Sequence, residues 1–322
     1  MLTEMINKIK GKGTKIVFPE GNDARVLEAA IRLKNDGILA PILLGNIEEI
    51  NALAASKGWS TDGLEMIDIA QDPRMDEFVA KMVELRKGKM DEEACRKALS
   101  KSNYFGTMLV KMGFADGLVG GATYSTADTV RPALQLVKTK PGSKLVSSCF
   151  ILFKDDQKLA MGDCAINIDP SDEDLVEIAV ETAKTARVFG IEPKVGLLSY
   201  STKGSGKGPA VDKVVSACEK LAAMDLDFDV DGEFQFDAAV SPVVAAQKAP
   251  NSKVAGHCNT FVFPNIEAGN IGYKIAARLG GYEAVGPILQ GLNAPINDLS
   301  RGCNIEEVYK LAIITAAQKY IQ

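Results

Sequence analysis

Near its C-terminus the chain reads NDLSRGCNIEE over positions 297–307, placing Ser300, Arg301 and Gly302 just ahead of a helical pattern. A hydroxyl can donate to a developing oxyanion, and a guanidinium can grip a phosphate through two parallel bonds. A carboxylate seven residues after the serine, Glu307, can accept a proton. A helix cap accounts for Asn304 and Glu307, which have capping-box spacing ahead of the apolar face Val308, Leu311, Ala312 and Thr315. It does not account for Ser300-Arg301-Gly302, which require an anionic ligand or a salt-bridge partner.

A second group follows the β-rich run ADGLVGG (115–121): Ser125, Thr126, Thr129 and Arg131 in YSTADTVRPALQ. Helix N-termini beyond the carboxyl ends of parallel strands are where α/β proteins bind anions. Ser125 or Thr126 can cap this helix, and Pro132 suits an early turn. An early-turn arginine opposes the helix dipole, which favours an anion-binding role for Arg131. Arg86, in VELRKGK, has no such signal, because a basic last turn is ordinary dipole complementation.

Two further stretches have the residue types without the pattern. STKGSGKGP (201–209) lies between a strand and a helix, but Lys207 is followed by Gly208 and Pro209 rather than the Ser or Thr of a P-loop. A phosphate-cradling turn and a surface loop fit it equally. His257 is the chain's single histidine, and no G-x-S-x-G elbow surrounds Ser300, so a serine hydrolase is not assigned.

The elements that must position these residues alternate in α/β fashion from the start: TKIVFPE, DARVLEAAIRLKNDG, ILAPILLG, IEEINALAASKG. The second is expected to be a helix capped by Asp23, burying Val26, Ala30 and Leu33 and ending at Gly37. Strands are expected in 143–153, 158–167, 193–200 and 257–264. At 322 residues two domains are the default. Breaks at KTKPGSK (138–144) and NAPIND (293–298), both read as loops, give 1–140 plus 296–322 as a first α/β domain and 141–295 as a second, inserted α/β domain. The charged share of 25% and the lack of a long apolar run exclude a membrane span, and no export signal is visible, so a cytoplasmic location is expected. A net charge of -5 argues against a nucleic-acid surface, so any anion must be held by a local basic cluster. Six cysteines without a C-x-x-C pair and one histidine imply reduced thiols and no structural zinc. The acids of DFDVDGEFQFD (227–237) are read as solvated charge around a strand end.

On FPEGNDARVLEAA, DGLVGGATYSTADTVRPALQ, GDCAINIDPS, LSYSTKGS and VFPNIEAGNIGYKIAARLGGYEAVGPILQGLNAPINDLSRGC, the chain resembles the phosphate acetyltransferases nearly end to end. Phosphate butyryltransferases and the transferase-like end of some malic enzymes share parts of these stretches. The resemblance implies two α/β domains with a cleft between them, similar in fold to isocitrate and isopropylmalate dehydrogenases, the second domain inserted and serving dimerisation. It implies reversible acetyl transfer between coenzyme A and phosphate in a homodimer. The small-molecule partners are coenzyme A, acetyl-CoA, phosphate and acetyl phosphate, with no metal or further cofactor. It also implies catalytic roles for Ser300, Arg301 and Glu307, and substrate binding by Arg86 and Arg131; Ser125, Thr129 and Gly302 are expected to bind substrate beside them from their places at helix N-termini. The family commonly has Asp where this chain has Glu307, which leaves the neighbouring Glu306 as an alternative base. A metal-dependent 2-hydroxyacid dehydrogenase and a non-catalytic coenzyme A binding protein are the rival readings.

Overall fold

The computed structural model describes residues 2–321. Its strands in chain order are β1 (Lys15–Phe18), β2 (Ala40–Leu44), β3 (Glu65–Ile67), β4 (Gly117–Gly120), β5 (Ser147–Lys154), β6 (Gln157–Gly162), β7 (Lys194–Leu198), β8 (Asp229–Phe234), β9 (Thr260–Val262), β10 (Glu283–Gln290) and β11 (Ile296–Asp298). The chain divides into two compact units, Met1–Gly142 with Leu292–Gln322, and Ser143–Gly291. Residues 292–295 go with the first unit because Leu292 bridges Thr139 and the Asn293 N–H donates to the Lys138 carbonyl.

The first unit is built on a five-stranded sheet of order β11-β4-β1-β2-β3, parallel throughout. Parallel strands are covered on both faces, which is why Ile16, Val17, Phe18, Leu118 and Val119 are all buried. Helix Ala24–Asn35 begins at Asp23, whose side chain accepts from the Arg25 N–H, and buries Val26, Ala30 and Leu33. Gly37 follows at φ 64°, the left-handed conformation that ends helices. The C-terminal helix, Ile305–Ile321, buries Val308, Leu311, Ala312 and Thr315, the face read from the sequence.

The stretch read as the loop NAPIND contains β11, a three-residue strand at the sheet edge pairing with β4. Its shortness and the Pro and Asn around it hide it from a periodicity argument. Burial and pairing make the strand: Ile296, Asn297 and Asp298 are all at or below 1% exposure.

The helix after β4 also departs from the expectation. It is α-helical over Thr126–Pro132 and continues with π winding over Ala133–Val137, so Arg131 and Pro132 are not in its first turn. Proline has no N–H for the carbonyl four residues back, which is that of Asp128. The Asn103 side chain donates to that carbonyl at 2.6 Å instead.

The second unit has a six-stranded sheet of order β10-β5-β6-β9-β7-β8, antiparallel at β10-β5-β6 and parallel from β6 to β8. Phe150, Met161, Phe234 and Phe261 fill one core cluster, and Ile178, Leu197 and Val214 another. Among the described residues no helix is long and apolar enough to cross a membrane, and the six cysteines are free.

Candidate active site

Three connections leave the carboxyl edge of the first sheet beside one another, after β1, β4 and β11. The turn after β1 supplies Glu20, 7% exposed, whose carboxylate accepts from the backbone N–H groups of Ala122, Thr123 and Tyr124 and from the Thr123 hydroxyl. Those residues form the connection after β4, so one buried acid fixes the approach to helix Thr126–Pro132. Arg25 does the same for the connection after β11. Its guanidinium donates to the carbonyls of Arg301 (2.9 Å) and Cys303 (2.8 Å), to that of Ala122 (2.9 Å), and to the Asp23 carboxylate. Neither residue was singled out by sequence reasoning. Arg25 follows the N-cap by two positions, which is the early-turn arginine signal applied there to Arg131.

Held in this way, the segment Ser300–Gly302 is exposed. The Ser300 carbonyl accepts from the Cys303 N–H, closing a turn, and the Ser300 Oγ accepts from the Gly302 N–H at 3.3 Å. That bond leaves the hydroxyl hydrogen free to donate outward. The space around Gly302 is open, since a side-chain carbon there would meet nothing nearer than the Ser300 Oγ at 3.9 Å.

The two candidate bases are both engaged. Glu307 accepts from the Asn304 N–H at 3.2 Å while its own N–H donates to the Asn304 side chain at 2.9 Å, so the capping box is formed. Glu306 is paired with Arg32 at 2.5 Å, and that hydrogen bond holds its carboxyl below the usual range.

Ser125 caps helix Thr126–Pro132, its hydroxyl donating to the Asp128 carboxylate at 2.6 Å. Thr129 is buried at 3% exposure, against Asp298 at the end of β11. Arg131 is exposed and lines a cavity of about 240 Å³ with Lys97, Lys101, Tyr104 and Asp128. Arg86 lies within electrostatic reach of Tyr104: burial raises the Tyr104 phenol, and both Arg131 and Arg86 oppose that rise. The Arg86 Nε is buried without a hydrogen-bond partner.

Ion pairing sorts the arginines. Arg25, Arg32, Arg74, Arg96 and Arg187 each pair with a carboxylate. Among the described residues, Arg86, Arg131, Arg278 and Arg301 do not, and three of these four are the ones expected to bind anions.

The glycine-rich loop after β7 is not a phosphate cradle. Its Gly204 N–H and Ser201 hydroxyl donate to the Glu233 carboxylate at 2.8 and 2.9 Å, and the Gly206 N–H to the Ser201 Oγ. An internal carboxylate thus takes up donors that a phosphate would need. Glu233 lies on β8 at 3% exposure, so the acids of 227–237 are not all solvated charge. Among the described residues no group of His, Cys, Asp and Glu could hold a metal ion, and His257 is an exposed residue of the second unit.

The model of the family described as Phosphate acetyl/butaryl transferase matches residues 1–316. The phosphate acetyltransferase of Bacillus subtilis (strain 168) is 56% identical over 311 residues, which is 97% of this chain and 96% of that protein. A phosphotransacetylase structure from Streptococcus pyogenes is 54% identical with a TM-score of 0.96, covering 99% of this chain and 98% of that one. A branched-chain phosphotransacylase from Enterococcus faecalis V583, at 18% identity and a TM-score of 0.68 over 96% and 99% of the two chains, shares the fold. With both sequence and fold matched over nearly the whole length, the chain belongs to the phosphate acetyl/butaryl transferase family.

Proposed function

We propose that this enzyme transfers an acetyl group reversibly between coenzyme A and inorganic phosphate, in one ternary complex and without an acyl-enzyme. The observation that carries the site assignment is the set of arginines without carboxylate partners, Arg301, Arg131 and Arg86, in an otherwise acidic chain. In the direction of acetyl-CoA formation, Glu307 takes the thiol proton and the thiolate attacks the carbonyl carbon of acetyl phosphate. The carbonyl oxygen gains charge, which the outward hydroxyl hydrogen of Ser300 stabilises. The carbon–oxygen bond to phosphate then breaks, and Arg301 neutralises the leaving phosphate through its planar fork. A thiol titrates near ~8.5, far above a carboxylate, so the base works only with the thiolate stabilised by the nearby guanidinium groups. Glu307 must also leave its cap to act. Arg86 and Arg131 hold anionic parts of the substrates.

The reading extends to a homodimer formed through the second unit, where Ile271 and Ile275 on helix Ile266–Arg278 and Leu279 at its C-cap leave an exposed apolar stripe. A cytoplasmic location accords with the six free cysteines.

The test is acetyl-CoA formation from acetyl phosphate and coenzyme A by the purified protein and by Arg301→Lys. The wild-type enzyme is expected to be active and to prefer acetyl to butyryl phosphate. Arg301→Lys keeps the charge and loses the fork, so KM should hold while kcat falls about 10²-fold. Full turnover by Arg301→Lys removes that residue from the transition state, and faster butyryl transfer overturns the acetyl assignment.

A further inference from the structure

The mechanism above makes no use of Asp298, the last residue of β11 and two residues ahead of Ser300. It is 1% exposed, and it differs from the other buried carboxylates. Glu20, Asp163, Glu181 and Glu233 each accept from at least one donor. Asp298 Oδ1 is buried without a hydrogen-bond partner, and so is the Thr129 Oγ1. The hydroxyls of Thr126 and Thr129 are nonetheless near enough to stabilise its anion. Gly121, at φ 101°, keeps the carboxyl in place: a side-chain carbon there would lie 2.3 Å from Asp298 Oδ1 and 2.7 Å from the Leu299 nitrogen. A buried polar pair with unused bonding capacity, at the junction of two segments of an active site, requires an explanation.

We propose that Asp298 is a positioning residue: as a carboxylate it draws the Thr126 and Thr129 hydroxyls onto itself and so fixes the Ser300–Arg301 turn to the helix that carries Arg131. Asp298 precedes Ser300 by two residues, and Thr129 precedes Arg131 by two, so a bond between them sets the register of the two anion-binding arginines. Only the ionised carboxyl can accept from both hydroxyls without offering a competing hydrogen. Protonation turns one acceptor oxygen into a donor, and the tie loosens.

The charges around the carboxyl agree with a group that titrates near neutrality. Burial pushes it up to about 6, against the opposing pull of Thr126 and Thr129, and Glu20 adds to the rise from the turn after β1. On helix Thr126–Pro132, Asp128 is turned to Ser125 and Arg131 to the cavity with Lys97 and Lys101. From the C-terminal helix, β11 meets the neutral side chains of Thr315 and Gln318 through Asn297. Working as the anion, Asp298 therefore loses its function as the pH falls through about 6.

The proposal rests on the acyl-transfer reading, so one arm of the test reads Asp298 without turnover. The side-chain carboxyl carbon of ¹³C-labelled aspartate is followed by NMR from acidic to neutral pH, and the Asp298 signal is the one lost in Asp298→Asn. Its midpoint is expected near 6, higher in Thr129→Val, which removes a hydroxyl at constant shape, and restored in Thr129→Ser. In the kinetic arm, kcat of the wild-type enzyme falls with the same midpoint. Asp298→Asn loses that limb and about tenfold of the plateau, with KM for acetyl phosphate and coenzyme A within about twofold. A midpoint in the ordinary aspartate range, unmoved by Thr129→Val, overturns the proposal, as does an unchanged kcat profile in Asp298→Asn. A wild-type protein without acyl transfer overturns the functional reading alone, and the NMR midpoint still decides whether Asp298 titrates as argued.

Discussion

The turn Ser300–Gly302 and the loop Ser201–Gly208 look alike in sequence, each placing Ser, Gly and a cation between a strand and a helix. The fold treats them oppositely. In the second unit, Glu233 reaches from β8 into the loop and takes up its Gly204 N–H and Ser201 hydroxyl, while Lys203 is paired with Asp231. In the first unit the clamp comes from behind: Arg25 holds the carbonyls of Arg301 and Cys303 and leaves the Ser300 hydroxyl and the Arg301 guanidinium outward. A loop whose donors are consumed internally is structure. One whose carbonyls are held, so that its side chains stay open, is free to take a ligand.

The sharpest way to break this contrast is at Glu307, which sits in the open turn's own helix cap. Glu307→Gln preserves the acceptor for the Asn304 N–H and nearly the same shape, so a residue that only caps would lose almost nothing. As the base it should lose roughly 10²-fold or more in kcat at an unchanged Tm, with the alkaline-rising limb altered. Glu306→Gln removes only an exposed pair with Arg32 and should be near normal. The reverse result moves the base to Glu306.

How much of this was legible beforehand follows from the kind of signal each residue gives. Helix Ala24–Asn35 and the face of the C-terminal helix have clear periodicity and ordinary caps, so their residues announced themselves. The strand β11 has three residues and no period to read; it exists because β4 offers a buried edge. Arg131 and Arg25 show the limit of a local argument. The dipole rule applies to an arginine in a first turn, and Arg25 is the one that occupies it, answered by Asp23 and by carbonyls nearly 300 residues away in sequence. Glu20 and Asp298 gave no signal at all, because a buried carboxylate is defined by partners that the sequence does not place side by side.

Those partners make an opposed pair of stability predictions. Glu233→Ala leaves the buried Ser201 hydroxyl and the part-buried Gly204 N–H without their acceptor, and should cost roughly 1 to 3 kcal/mol in urea denaturation. Asp298→Asn should instead stabilise, by up to about 3 kcal/mol at neutral pH, because burial raises the wild-type carboxyl from 3.8 to about 6. A folded-state value above the unfolded one means that ionisation costs the native state. The cost is absent below the unfolded value, grows as the pH rises, and is complete above the folded value. The advantage of Asp298→Asn should therefore shrink as the pH is lowered from neutral towards the ordinary aspartate range. A constant difference across that range would mean that Asp298 does not carry the strain assigned to it.

The smallest expected effect tests the closed loop from its solvent side. Lys207 is exposed, and its backbone carbonyl accepts from the Tyr200 hydroxyl at 2.8 Å. If phosphate were bound there, Lys207→Ala would raise the KM for phosphate and weaken its dependence on salt. With Glu233 already filling the loop, the substitution should change stability by less than about 0.5 kcal/mol and leave the KM for phosphate within about twofold. Arg131→Ala, measured alongside, should raise that of an anionic substrate, because Arg131 lines its cavity with Lys97 and Lys101 against the single carboxylate of Asp128, which is turned to Ser125. Equal effects from Lys207 and Arg131 would erase the distinction between the filled loop and the open edge.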